Sequence, residues 1–267
     1  MIHWKIKNNT IHQLFADKSN LIFPWGIETA DSSAFFSMEE GVGYRYRVLE
    51  QERFSDEKSF FCRIVVEMYE GLWELTTEDS IDDDGYIRRK AYLNCLKESC
   101  FMDFVMRFRF DKSFFNRAVI NNREIEHLNK NLYHQYQVDQ TTLFGSTWKV
   151  SIHVLNSQMP SSLQPFMYVR DHNNEWVVHA RMLPCKWDKE VIKLCNEWAK
   201  TRPLPQLVSN SILKIPAVKK ALWYRGENSP YTNPIAKRVN PQACPIVKLN
   251  KGDKLMWELG CKIEKTV

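Results

Sequence analysis

Read for apolar and polar positions, several segments of the chain show a period of two. In Phe104-Val105-Met106-Arg107-Phe108-Arg109-Phe110, Phe and Met fall on one parity and two Arg on the other. Trp148-Lys149-Val150-Ser151-Ile152-His153-Val154 and Trp176-Val177-Val178-His179-Ala180-Arg181-Met182 repeat the pattern with Lys, His and Arg, and Tyr44-Arg45-Tyr46-Arg47-Val48 alternates aromatic with Arg. Successive side chains of a strand point to opposite faces, so each segment predicts a strand with one apolar and one cationic face. Further strands are expected at 60–69, rich in β-formers, and in a hairpin of 166–170 with 175–183 around the turn-forming Asp171-His172-Asn173-Asn174.

Other stretches fit a helical period. The apolar positions 87, 91, 92, 95 and 96 suggest a helix, and Phe114, Phe115, Ala118 and Val119 a short one. A clearer helix opens after Asp188 with the stripe Val191, Ile192, Cys195, Trp198 and Ala199, and ends before Arg202-Pro203. Another runs from Pro216 to Gly226. The expected fold class is therefore α+β. It is β-rich, with a central antiparallel sheet, sandwich or barrel-like, and two or three helices mostly in the C-terminal half.

Length changes the picture little: 267 residues make one domain, 1–267, with a soft division near 140–147. Charge changes it more. Residues 1–146 carry 18 Lys+Arg and 23 Asp+Glu, a net of −5, and residues 147–267 carry 19 and 9, a net of +10, which together give the overall +5. The seven cysteines are scattered without a CxxC, which suits a reducing cytoplasmic setting and small core residues better than a disulfide framework. The first residues lack the apolar core of a signal peptide, and no apolar run is long enough to span a membrane.

Several chemistries lose support. Ser80, Asp82, Asp84 and Gly85 overlay part of a calcium loop, but position 12 is Ala91 where a bidentate Glu is needed. No His-Glu-x-x-His, zinc-finger cysteine pair, GxGxxG, Walker loop or GxSxG occurs, so no metal and no cofactor is expected.

What remains are constellations. Arg107, Arg109, His153, Arg170 and His172 lie on or beside the cationic strand faces, and Trp223, Tyr224, Arg225, Tyr231, Lys237 and Arg238 mix flat aromatics with cations. If the strands share one sheet, their cationic faces merge and call for an anionic partner, either nucleic acid or an acidic saccharide. The main expectation is nucleic acid, with Lys and Arg neutralising phosphates and aromatics stacking on bases. The alternative is an enzyme acting on a phosphorylated or acidic sugar-like substrate, with His179, Arg181 and Asp171 as the catalytic group. A third possibility is a protein-interaction module, its aromatics serving an interface. Oligomeric state is left open.

Overall fold

The computed structural model describes the chain except residues 1, 32–33, 41, 121, 130–131, 137–138, 186–207, 209–210, 213–214, 216–246 and 267, and except the side chains of residues 44 and 132–136. In chain order the strands are β1 (Ile2–Lys7), β2 (Thr10–Ala16), β3 (Ser19–Asn20), β4 (Gly26–Ala30), β5 (Phe35–Ser37), β6 (Gly43–Tyr44), β7 (Tyr46–Ser55), β8 (Ser59–Met68), β9 (Leu72–Ile81), β10 (Tyr86–Cys95) and β11 (Ser99–Phe101). They continue with β12 (Asp103–Asp111), β13 (Arg117–Ile120), β14 (Arg123–Glu126), β15 (Leu132–Tyr136), β16 (Gln140–Phe144), β17 (Trp148–Gln158), β18 (Leu163–His172), β19 (Glu175–Pro184), β20 (Val247–Leu249) and β21 (Lys254–Lys265).

Two large antiparallel sheets dominate. One has nine strands in the order β14-β13-β16-β17-β21-β10-β9-β8-β7, the other seven in the order β15-β18-β19-β12-β4-β5-β6. A three-stranded β1-β2-β3 sheet and a β11-β20 pair complete the described fold. The apolar parities of the two large sheets join one core. Phe104, Met106, Phe108 and Phe110 of β12 and Trp176, Val178 and Met182 of β19 belong to the same buried cluster as Ile64 of β8, Leu93 of β10 and Trp257 of β21. The molecule is sandwich-like, and the alternation has the physical cause expected for antiparallel sheets with one covered face.

The α+β expectation is overturned: the described residues are all-β. Only Val208, Ser211 and Ile212 have helical backbone, and they form no defined element. Residues 87–96 are strand β10, and the stretch read as a short helix at 114–119 leads into strand β13. The helices expected after Asp188 and from Pro216 lie outside the described residues. Among the described residues, no helix is long and apolar enough to cross a membrane.

Candidate active site

The second face of the seven-stranded sheet carries the polar groups. Register places Tyr168, His179, Arg107 and Gly26 in one row across β18, β19, β12 and β4. The next row on the same face holds Phe166, Arg181, Val105 and Glu28, and the row on the other side holds Arg170, Val177 and Arg109. Gly26 leaves room for the Arg107 guanidinium: a Cβ there would lie 3.1 Å from Arg107 Nη2 and 3.3 Å from Ser37 Oγ.

These arginines do not make an open positive surface. Arg107 lies 2.8 Å from Glu28, an ion pair without hydrogen-bond alignment at Glu28 Oε1, and also pairs with Glu39. Arg109 donates to Glu39 at 3.1 Å and to Glu175 from Nε at 2.6 Å and Nη2 at 3.2 Å. Arg181 donates to both carboxylate oxygens of Asp103, from Nε at 3.2 and 3.0 Å. The side chains of Arg107, Arg109 and Arg181 are 16, 23 and 15% exposed, against 0% for their neighbours Phe108, Phe110 and Ala180 on the opposite parity. A polyanion needs accessible, uncompensated cations to release its counterions. Here carboxylates from β4, β12, β19 and the turn after β5 already hold those cations, and the expected nucleic-acid surface on this sheet is corrected accordingly.

His179 sits at the centre of this face. It is buried, and among the described residues its Nε2 has no hydrogen-bond partner. Its ring lies 4.4 Å from that of Tyr168, tilted by 59°, and Tyr168 also carries Arg181 over its face at 5.5 Å. Burial first, then the positive charges of Arg107, Arg181, Arg170 and Arg109, hold its pKa well below the ordinary histidine value. The imidazole is therefore neutral at physiological pH, with a nitrogen free to accept or donate. A buried polar atom left unpaired is costly, and such atoms in native folds often mark a working site.

Asp171, expected beside His179, has the other parity and lies on the core side. It is fully buried, accepts from Leu128 N at 2.6 Å and lies 3.2 Å from His127 Nε2. His127 in turn meets Trp176 edge to face and reaches the Glu175 carbonyl at 2.8 Å. Asp171 thus anchors the 127–128 segment and does not meet the His179–Arg181 pair. His172 stays on the polar face, 3.0 Å from Glu175.

His153 belongs to the nine-stranded sheet, where Tyr86 Oη and its Nε2 are 3.0 Å apart across Gly260. A Cβ at Gly260 would fall 1.9 Å from Tyr86 Oη, so only glycine permits that contact. Trp223, Tyr224, Arg225, Tyr231, Lys237 and Arg238 lie outside the described residues.

The sequence reading passed over Glu28, Glu39, Asp103, Tyr168 and Glu175. Asp103 and Glu175 share the parity of Arg107 and Arg181 on their own strands, and that parity is the signal that finds them. Glu39 lies in a turn, where no period points to it. Among the described residues, no group of three or more His, Cys, Asp or Glu could hold a metal ion.

No family model matches the sequence, and no curated protein matches it. Solved structures do resemble it. A putative aldose 1-epimerase from Escherichia coli K12 is 7% identical at a TM-score of 0.48, over 100% of this chain and 99% of that one. A galactose 1-epimerase from Lactobacillus acidophilus NCFM is 7% identical at 0.49, over 99% and 94%. A GalM/aldose epimerase homologue from C. elegans is 8% identical at 0.40, over 98% and 80%. At TM-scores below 0.5 these likenesses assign neither fold nor activity.

Proposed function

We propose that the chain is an enzyme performing acid–base chemistry on a sugar-like substrate that bears an acidic group, at the polar face of the seven-stranded sheet. The observation that supports this most is His179: a neutral buried imidazole with an unpartnered Nε2, directly opposite Arg107 in register and one row from Arg181. A neutral imidazole can take a proton from a substrate hydroxyl once a bound acidic group offsets the cations that oppose its protonation, and the adjacent guanidiniums stabilise the negative charge that develops on oxygen. The Tyr168 ring packs against His179 and Arg181 and fixes their positions beside each other. The guanidiniums of Arg107 and Arg109, bridged by the Glu39 carboxylate, have the planar fork that recognises a carboxylate or phosphate.

The roles divide accordingly. His179 is the proton-transfer residue, Arg107 and Arg181 flank the reacting oxygen, Arg109 and Arg170 extend the anion-binding row, and Glu28, Glu175 and Asp103 hold the arginines in place. The test is nuclear magnetic resonance of the purified protein with a panel of neutral aldoses, uronic acids and sugar phosphates, following anomer exchange and proton–deuterium exchange at carbon. Acidic sugars should turn over faster than neutral ones, and His179→Ala should lower the rate by about 10²–10⁴-fold. A folded protein that turns over no member of the panel, or a His179→Ala variant with wild-type rates, overturns the proposal.

A further inference from the structure

We infer that Glu39 is an internal stand-in for the substrate's acidic group, a latch that an anionic ligand displaces from Arg107 and Arg109. The inference deepens the proposed function and rests on it for the sugar-like body of the ligand, though not for the anion site itself.

Three observations carry it. The Glu39 carboxylate bridges both arginines, one oxygen on Arg107 Nη2 and the other 3.1 Å from Arg109 Nη1. A carboxylate held between two guanidiniums is how a carboxylate or phosphate ligand is gripped. Glu39 is also the redundant partner. Without it Arg107 still has Glu28 at 2.8 Å and Arg109 still has Glu175 at 2.6 Å, each borne on a strand. Each guanidinium would then keep one fixed counter-charge and present a free donor edge.

Finally, Glu39 belongs to no strand. It lies in the turn between β5 and β6, where its amide donates to Ser37 Oγ at 3.2 Å and its carbonyl accepts from Val42 N at 3.3 Å. Its side chain can swing away without breaking a ladder bond. Because Arg107 stands directly opposite His179, an anion that replaces Glu39 on Arg107 arrives beside the proposed base. The latch therefore couples recognition of an acidic group to opening of the site. A neutral sugar, unable to compete for the two arginines, leaves the latch closed.

The test reads anion binding alone. Inorganic phosphate and acetate are titrated by calorimetry into the wild-type protein, Glu39→Gln, and Glu39→Gln combined with Arg109→Ala, with melting curves to establish that each is folded. Glu39→Gln should bind one of the two anions about tenfold more tightly than wild type, the gain expected when a latch that leaves the open state about one part in ten is released. The double variant should lose that gain. Preference for phosphate or for acetate identifies the acidic group as phosphoryl or carboxyl. If Glu39→Gln fails to fold, Glu39→Asp, which keeps the charge on a side chain too short to bridge both arginines, should show a smaller gain. Unchanged or weaker binding of both anions in every folded Glu39 variant overturns the latch. Anion binding that tightens in a protein inert toward all sugars keeps the latch and removes the enzyme reading. Sugar turnover without any tightening does the reverse.

Discussion

Arg89 and Asp79 show how single residues set the character of this core. Both are essentially fully buried, and Arg89 donates to Asp79 from Nε at 2.8 Å. The guanidinium lies over the rings of Trp25 and Phe108, at 5.2 and 5.3 Å, so it joins the nine-stranded sheet to elements packed against it. Burial pushes the Asp79 carboxyl up and Arg89 pulls it back, which fits a pair whose desolvation offsets much of its attraction. Asp79→Asn, which strands the Arg89 charge, should cost about 3–5 kcal/mol. The double change Asp79→Leu with Arg89→Met should cost far less, and urea titration of the three proteins decides it. His179 supplies a pH signature at the same scale. Its folded pKa lies below its unfolded one, so below an unfolded value of about 6.5 the unfolded chain binds a proton that the folded one refuses. Stability should therefore fall as pH drops through about 6.5, by up to about 1.4 kcal/mol per unit from this group. His179→Gln should remove that contribution, which melting curves between pH 5 and 8 will reveal as a flatter profile than wild type.

At the scale of elements, β10 explains why part of the fold was illegible. Its buried positions are Ile87, Arg89, Ala91, Leu93 and Cys95, a clean alternation interrupted to the eye by one arginine. With Arg89 counted as polar, the remaining apolar residues imitate a helical spacing. β9 hides its alternation in the same way, since Thr77 and Asp79 occupy core parity between Leu75 and Ile81. By contrast, β12 and β19 keep unbroken apolar parities, as does β17 from Trp148 to Val154, and these segments were readable directly. β7 poses a different problem. As the outermost strand of the nine-stranded sheet it is exposed at every position, including Val48, Leu49 and Phe54. An exposed edge invites pairing with another chain unless it is blunted. Here a register shift between Val48 and Glu50 and the run Glu50-Gln51-Glu52-Arg53 do the blunting. Glu50→Val with Glu52→Val should leave the melting temperature nearly unchanged but raise the sedimentation-average mass. A monodisperse double variant would show that charge is not what protects this edge.

The whole molecule hides its site from the sequence in one respect and its assembly in another. Parity alone foretells that Arg107, Arg109, His179 and Arg181 share a side of their strands. It cannot say which strands become neighbours, so His153, with the same local pattern on β17, ended up in the other sheet, while Asp171 faces the core because the hairpin turn puts it out of phase with His179. The counter-charges come from β4, β12, β19 and a turn, brought together only by tertiary pairing. The same non-local wiring governs folding. β21, at residues 254–265, is a middle strand of the nine-stranded sheet, pairing with β17 on one side and β10 on the other. It also inserts Leu255, Trp257, Leu259 and Ile263 into the core. Removing it would leave two unpaired edges and forfeit about 1.5–3 kcal/mol for each of those buried side chains. That loss is comparable with the whole stability of a typical domain, about 5–15 kcal/mol. Truncation before Lys254 should therefore abolish cooperative folding, read as loss of the thermal transition and of dispersed amide resonances. A peptide spanning 250–267, added in excess, should restore both by filling the gap between β17 and β10. A truncated protein that still unfolds cooperatively near the wild-type temperature would mean that the two flanking strands close on each other without β21, and that the sheet order is not what holds this core together.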